Sequence, residues 1–322
     1  MSGQNPRAPF VLAIDPQSPD PGLARPVVAI GNFDGVHRGH VAVIRRAEAL
    51  ALELDRPCAV LTFEPHPAEF FRGRHALFRL GSMDSKAREI ERLGVDGMIV
   101  VAFNETLAAL DAEAFVADVL IRRLDVSGVV VGYDFRFGAG RAGTPQTLRR
   151  EGERRGFRVD VVERIDADEG GACVPASSTA TRTALEAGDV AEAARLLGRP
   201  YSIAAEVLPG QKIGRTIGFP TANLAPGPSF RLREGVYAVR VEIDGVLRDG
   251  VANYGRRPTV GESAPLLEIH VFDFDGDLYG ARVEVFFVGW LRGERKFPSL
   301  DALRAQIAED AETARARLRG AA

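Results

Sequence analysis

His37 and His40, with Gly39 between them, are the residues whose types and spacing most directly suggest chemistry. They end the run Gly31-Asn32-Phe33-Asp34-Gly35-Val36-His37-Arg38-Gly39-His40. Val27 to Ile30, apolar throughout, reads as a short buried strand, and Gly-Asn-Phe-Asp-Gly breaks it with residues that tolerate φ > 0. Apolar residues then recur at helical spacing at Val41, Ile44, Ala47, Leu50 and Leu54. Both histidines therefore stand at a strand-to-helix junction, where unpaired N–H groups and the helix dipole favour an anion. Imidazole donors would add to that site, and Gly39 would let a phosphate approach the backbone. Two other readings stand beside this one. A helical His pair can hold a metal, although the nearby chain offers no third ligand at a recognisable spacing, and the two could be surface histidines beside a glycine-rich turn.

Four further stretches carry candidate chemistry. Thr62-Phe63-Glu64-Pro65-His66-Pro67 ends an apolar strand with two prolines that stiffen the loop. Gly132-Tyr133-Asp134-Phe135-Arg136-Phe137-Gly138 mixes glycines with aromatic rings, which suits stacking on a planar ligand as well as plain packing. Ser177-Ser178-Thr179 with Arg182 opens a helix; Ser178 or Thr179 serves as an N-cap, and hydroxyls, helix N–H groups and a guanidinium together also make a phosphate clamp. Gly214-Arg-Thr-Ile-Gly218-Phe-Pro-Thr221-Ala-Asn223 is glycine-rich but lacks the Walker lysine pattern, and no protein-kinase catalytic loop occurs. Thr221 and Asn223 offer two oxygens for Mg²⁺ if extended, though polar residues after a proline more often form a turn.

The elements around these stretches alternate in the first half. Strands at Pro57–Phe63, Gly97–Phe103, Ser127–Val131 and Phe157–Val162 are interleaved with helices at 83–93, 112–124 and 145–155, which predicts a doubly wound parallel sheet covered on both faces. Loops 31–40, 64–67 and 132–140 follow strand carboxyl ends, so they should converge on one crevice. A short helix over 189–197 ends at Gly198-Arg199-Pro200, and five strand-like runs follow, at 201–208, 236–243, 247–254, 266–274 and 281–288. These predict a small antiparallel β-barrel, closed by a helix over 299–318, with a hairpin turn at Asp275-Gly276. Domains are accordingly expected at 1–188 and 189–322.

Composition narrows the classes. A chain of 322 residues exceeds one ordinary core. Of 41 basic residues only Lys86, Lys212 and Lys296 are lysines, the net charge is −3, and no basic tract stands out, which argues against nucleic-acid binding. Cys58 and Cys173 form no disulfide framework. Residues 1–25 lack a cationic start and apolar block, and no run approaches membrane-spanning length, so a cytoplasmic protein is expected.

The histidine run and the Thr62, Gly132 and Ser177 stretches resemble, in order, the adenylyltransferase motifs of bacterial bifunctional riboflavin kinase/FAD synthetases. Gly214 to Asn223 is similar to the riboflavin kinase motif of the same family, as are Asn253 to Thr259 and Leu267-Glu268-Ile-His270 through Gly280. The resemblance runs from about residue 27 to 318. It implies a bifunctional enzyme that phosphorylates riboflavin to FMN with Mg²⁺ and ATP and then adenylylates FMN to FAD, releasing pyrophosphate. The alternative is a single-activity nucleotidyltransferase with a degenerate flavin-binding barrel. By the resemblance, Glu268 is the kinase base, and Thr221 and Asn223 hold the metal. His37 and His40 act on the triphosphate, with Asn32, Gly39, Ser178, Thr179, Arg182, Gly214 and Gly218 as nucleotide or phosphate ligands. Phe63, Pro65, His66, Asp134, Phe135 and Arg292 are the implied flavin contacts. Riboflavin, FMN and ATP are the partners implied, with no nucleic acid and no membrane, and a homo-oligomer is left open. The chain departs from the family pattern at Ala205, Pro209 and Val260, which bears on affinity.

Overall fold

The computed structural model describes residues 9–164, 176–209, 218–258 and 263–320. Gly214, Thr259, Val260 and Cys173 lie outside the described residues. The chain divides into two compact units, Met1–Leu77 with Ser82–Ala176, and Phe78–Gly81 with Ser177–Ala322.

The first unit holds six strands: β1 (Val11–Ile14), β2 (Val27–Ile30), β3 (Cys58–Glu64), β4 (Gly97–Ala102), β5 (Gly128–Gly132) and β6 (Arg158–Val162). They pair in the order β1-β4-β3-β2-β5-β6, and every pairing is parallel. The helices are α1 (Arg38–Leu54), α2 (Pro67–Arg72), α3 (Met83–Arg92), α4 (Glu105–Ala109), α5 (Ala112–Phe115) and α6 (Pro145–Arg155), and α5 runs on as π-helical turns over Val116–Arg123. Strict alternation divides the sheet between two cores. Val27, Ala29, Cys58, Val60 and Met98 face Ile44, Ala47 and Leu50 of α1 and Ile90 of α3. Val28, Ile30, Ala59, Leu61 and Ile99 face Phe115, Val119, Leu120 and Leu148. This is the doubly wound sheet expected from the pattern. The edge strand β1 was not foreseen: it has four residues, only Ala13 among them is buried, and Leu12 and Ile14 face solvent.

The second unit opens with α7 (Ser178–Ala187) and α8 (Val190–Leu197). Strands β7 (Tyr201–Leu208), β8 (Ala222–Leu224), β9 (Gly235–Ile243), β10 (Val246–Pro258), β11 (Ser263–Val271) and β12 (Arg282–Arg292) form a closed barrel in the order β10-β11-β8-β7-β12-β9, followed by α9 (Leu300–Arg319). Two expectations change here. The barrel closes strand to strand, so α9 does not close it; Ala311, Ala314 and Leu318 of α9 instead cover an outer wall made by Val236, Ala238, Val251 and Phe272. Asp275-Gly276 is not a hairpin turn either, because β11 and β12 are not neighbours: β8 and β7 lie between them. The chain turns earlier, at Phe272-Asp273, and Arg315 of α9 grips the Asp273 carboxylate at 3.0 and 3.1 Å, holding it below the usual carboxylate range.

Phe78 and Leu80, although between α2 and α3 in sequence, belong to the barrel unit's core with Ala184, Leu185, Tyr201, Phe230 and Tyr254. Phe78 meets the Phe230 ring edge-on at 5.5 Å, and its carbonyl accepts from Arg182 Nε at 2.6 Å. Losing a buried Leu or Phe side chain costs about 2–5 kcal/mol. A fragment beginning at Asp189 is therefore expected to melt well below one beginning at Ser177, which keeps Ala184 and Leu185, and both below the barrel in the full chain. Thermal unfolding of the two fragments and of the full chain checks this; equal melting temperatures of the two fragments would show that α7 adds nothing, and a Ser177 fragment as stable as the barrel in the full chain would show that residues 78–81 add nothing.

Candidate active sites

In the first unit, β3, β2 and β5 are adjacent and parallel, so the loops after them emerge side by side at one end of the sheet. The chain steps from β2 to β3 and β4 on one side and later returns to β5 on the other, which makes the β2 end a switch point. His37 is the N-cap of α1: its Nδ1 accepts the His40 backbone N–H at 3.3 Å. In the neutral ring the proton then sits on Nε2, so His37 presents a donor there. The two imidazoles stack, with centroids 3.5 Å apart, and Phe33 packs on His40 at 5.0 Å. A Cβ at Gly39 would lie 3.0 Å from the Ala176 carbonyl and 3.1 Å from His37 Cε1, so the glycine makes room for the histidine ring as well as for any ligand. The Asn32 carbonyl accepts from Lys86 Nζ at 2.8 Å and from Thr62 Oγ1 at 3.1 Å.

The remaining first-unit candidates differ in exposure. Phe63 is buried among Phe103 and Phe115. Pro65 is exposed, and His66 caps α2 through Nδ1, which accepts Ala68 N–H at 3.0 Å. Asp134 is exposed, and Phe135 stacks on Phe137 at 5.6 Å. In the second unit, Ser177 rather than Ser178 or Thr179 caps α7, accepting Ala180 N–H at 3.1 Å. That assignment differs from the expectation by one or two residues and places Ser178 and Thr179 in the first turn of the helix.

The barrel brings its candidates together by register. Glu268 of β11 lies directly opposite Asn223 of β8 on one side and Asn253 of β10 on the other. Residues directly opposite in an antiparallel pair project to the same face with Cβ atoms about 5 Å apart. Leu267 and Ile269 are buried in the barrel core, so this row of two amides and a carboxylate lies on the outer face. The sequence suggested a turn at Thr221–Asn223; Asn223 is instead on a short strand. His270, two residues along β11, secures the approach: its Nδ1 contacts the Pro220 carbonyl at 2.9 Å and its ring meets Phe219 edge-on. Thr221 borders a cavity of about 440 Å³ between Val207, Ile269 and Val271 and the 274–279 loop, within the size range of small-ligand pockets. Gly218 has φ +89°, a backbone open to glycine, and begins this segment.

Arg292 is held tightly, its Nε and Nη2 donating to both Asp310 oxygens at 2.8 and 2.6 Å and its Nη1 to the Gly293 carbonyl. Tyr237 and Tyr254, buried in the barrel, hold the 230–233 segment: their hydroxyls donate to the carbonyls of Arg233 (2.5 Å) and Phe230 (3.2 Å). Burial pushes both phenols above their ordinary range, so they remain donors. Sequence reading missed Glu294, whose Oε1 accepts from Asn253 Nδ2 at 3.5 Å, and Lys86. Glu294 lies in a charged stretch with no periodicity to mark it. Lys86 could have been noticed as a lysine at a helical position in a chain that otherwise uses arginine.

A parallel α/β unit with a phosphate-type loop, followed by a closed barrel with a carboxylate between two amides, defines a two-unit nucleotide-dependent transferase. Comparison with known proteins specifies it. Residues 21–178 match the FAD synthetase family and residues 197–318 the riboflavin kinase family. The chain is 44% identical over 293 residues to the bifunctional riboflavin kinase/FMN adenylyltransferase of Haemophilus influenzae, covering 90% of this chain and 93% of that one. It is 43% identical over 300 residues to the Escherichia coli K12 protein of the same name, covering 93% and 94%. A crystal structure described as a macrolide-efflux protein from Streptococcus pneumoniae superposes with a TM-score of 0.84 at 30% identity, covering 95% of this chain and 99% of that one. The chain belongs to the bifunctional riboflavin kinase/FMN adenylyltransferase family. It phosphorylates riboflavin to FMN with ATP and adenylylates FMN to FAD. Among the described residues no helix is long and apolar enough to cross a membrane.

Proposed function

We propose that the two reactions use separate sites: residues 1–188 carry FMN adenylylation and residues 189–322 carry riboflavin phosphorylation, in the cytoplasm. The observation that supports this most strongly is the register placing Glu268 beside Asn223 on one barrel face, because a base and a metal-ligating amide must act on the same phosphoryl group. Glu268 takes the proton of the riboflavin 5′-hydroxyl as that oxygen attacks the γ-phosphorus of ATP. Thr221 and Asn223 supply neutral oxygens of the kind that hold Mg²⁺ together with phosphate oxygens and water. When bound, the ion neutralises charge on the transferred phosphoryl group. Asn253 and Glu294 fix the orientation of the Glu268 neighbourhood. Gly214 and Gly218 are taken as nucleotide contacts, and Arg292, clamped by Asp310, forms a fixed wall of the flavin pocket.

In adenylylation the FMN phosphate attacks the α-phosphorus of a second ATP and pyrophosphate leaves. Charge on the triphosphate is met by His37 Nε2–H and His40, with Asn32 and Gly39 shaping the loop. Phe63, Pro65, His66, Asp134 and Phe135 line the FMN side. No covalent enzyme intermediate is required.

The metal assignment is tested by titrating Mg²⁺ in both reactions. Losing even a group that only orients a metal ligand typically costs about 10- to 100-fold in metal affinity, and losing a ligand itself costs at least as much. Asn223→Ala is therefore expected to raise the Mg²⁺ needed for half-maximal riboflavin phosphorylation at least about tenfold, leaving the Mg²⁺ demand of adenylylation unchanged. An unshifted titration in the kinase reaction would remove Asn223 from the metal site.

A further inference from the structure

The loop that bears the histidines is conformationally expensive. Phe33 and Val36 hold φ of +48° and +43°, a region that bulky and β-branched residues avoid, and such backbone persists only where its surroundings over-determine it. Its fixed points are visible. Gly31 N–H donates to the Leu61 carbonyl at 3.1 Å, tying the start of the loop to β3. Next, the Asn32 carbonyl receives two donors, Lys86 Nζ at 2.8 Å and Thr62 Oγ1 at 3.1 Å, while Lys86 Nζ also donates to Thr62 Oγ1 at 3.3 Å. Phe33 follows, buried, with its ring against His40.

Lys86 is 4% exposed, and Thr62 is fully buried. Burying an ammonium is costly unless it is hydrogen-bonded, and a long aliphatic side chain there would fill the same space at no such cost. A compact ammonium can converge on two oxygens of one small site where a planar guanidinium cannot, and this is one of three lysines in a chain with 41 basic residues.

We propose that Lys86 is a positioning residue for adenylyl transfer: its buried ammonium holds the Asn32 carbonyl and thereby fixes the strained 31–40 loop with His37 and His40 in their reactive placement. Its Nζ also lies behind the loop, at the carboxyl ends of β2 and β3, on the side of the sheet end where a triphosphate is expected. The inference rests on reading 31–40 as the phosphate loop of adenylylation.

The test compares Lys86→Met, Lys86→Arg, Thr62→Val and His40→Ala in the full chain, with kcat and KM for FMN-to-FAD conversion measured at several temperatures well below each melting transition. Lys86→Met is expected to lower kcat about 10- to 100-fold, as misplacement of reacting groups by up to about 1 Å does, with KM for FMN changed less than about threefold, and Lys86→Arg is expected not to rescue it. A merely structural lysine would lower the melting temperature, and kcat would return to the parental value on cooling; a positioning lysine leaves the deficit in place at every temperature. Thr62→Val, which removes the second donor to the same carbonyl, is expected to lower kcat about three- to tenfold, and it decides the matter should Lys86→Met fail to fold. Parental kcat in a folded Lys86→Met protein, or in Thr62→Val when the lysine variant does not fold, overturns the proposal. His40→Ala separates the two levels: if it retains adenylylation, the phosphate-loop reading falls and this inference with it, whereas inactive His40→Ala beside normal Lys86→Met overturns the inference alone.

Discussion

Glu268→Gln is expected to slow riboflavin phosphorylation by about 10² to 10⁴, the usual loss when a positioned general base is removed. Glutamine keeps the size of the side chain and can bond to the same neighbours, so the row Asn223–Glu268–Asn253 across β8, β11 and β10 should be preserved. What it cannot do is accept the hydroxyl proton. ATP binding should be retained, because the cavity beside Thr221 is lined by groups the substitution does not touch. Conversion of supplied FMN to FAD should be near parental, since the attacking phosphate there is already ionised. The measurement is a pair of initial rates on one preparation. A kinase rate that survives within a few-fold, roughly 1 kcal/mol of barrier, removes Glu268 as the base.

His40→Ala is expected to act in the opposite way, lowering adenylylation by about 10² to 10³, the loss typical for one donor to a developing anionic centre. Riboflavin phosphorylation should be unaffected, so FMN accumulates. His37 needs a different substitution because it has two jobs. Its Nδ1 caps α1, and loss of a cap alone costs about 1 kcal/mol. Asparagine is among the best N-caps, so His37→Asn should retain the helix while removing the Nε2–H donor. The expected variant melts like the parent and makes FMN but little FAD. If His37→Asn makes FAD normally, the histidine is a cap only.

How far these sites could be read from the chain differs between the two units. In the first, the period of each element agreed with its role: Val27–Ile30 is continuous and apolar because β2 is buried on both faces, and the α1 pattern matches the face that meets Ile90 and Met98. In the barrel, Leu267 and Ile269 lie in the core, and the two-residue period of a strand puts Glu268 between them on the other face. Register was not legible. Strand β8 is three residues long, too short to show a period, so the Asn223–Glu268 pairing could not be foreseen and the segment looked like a turn. The same gap misled the reading of Asp275-Gly276, where a turn-like dipeptide sits in a connection between strands that do not pair. Ser178 and Thr179 were plausible caps because any of three adjacent hydroxyls could begin α7; only the bond from Ala180 N–H to Ser177 decides it. Phe78 and Leu80 were invisible for a different reason: nothing local marks a segment of one unit's sequence that packs in the core of the other.

Chromatography of the flavins tests most directly whether one chain holds two separable sites. Parent, Glu268→Gln, His40→Ala and an equimolar mixture of the two variants are each incubated with ATP, Mg²⁺ and riboflavin, and the two variants also with FMN. The parent should yield FAD, His40→Ala should stop at FMN, and Glu268→Gln should leave riboflavin unchanged yet convert supplied FMN. The mixture should regain FAD as FMN made by one variant reaches the other. A folded variant that has lost both steps, or Glu268→Gln turning riboflavin into FAD at the parental rate, would contradict the assignment.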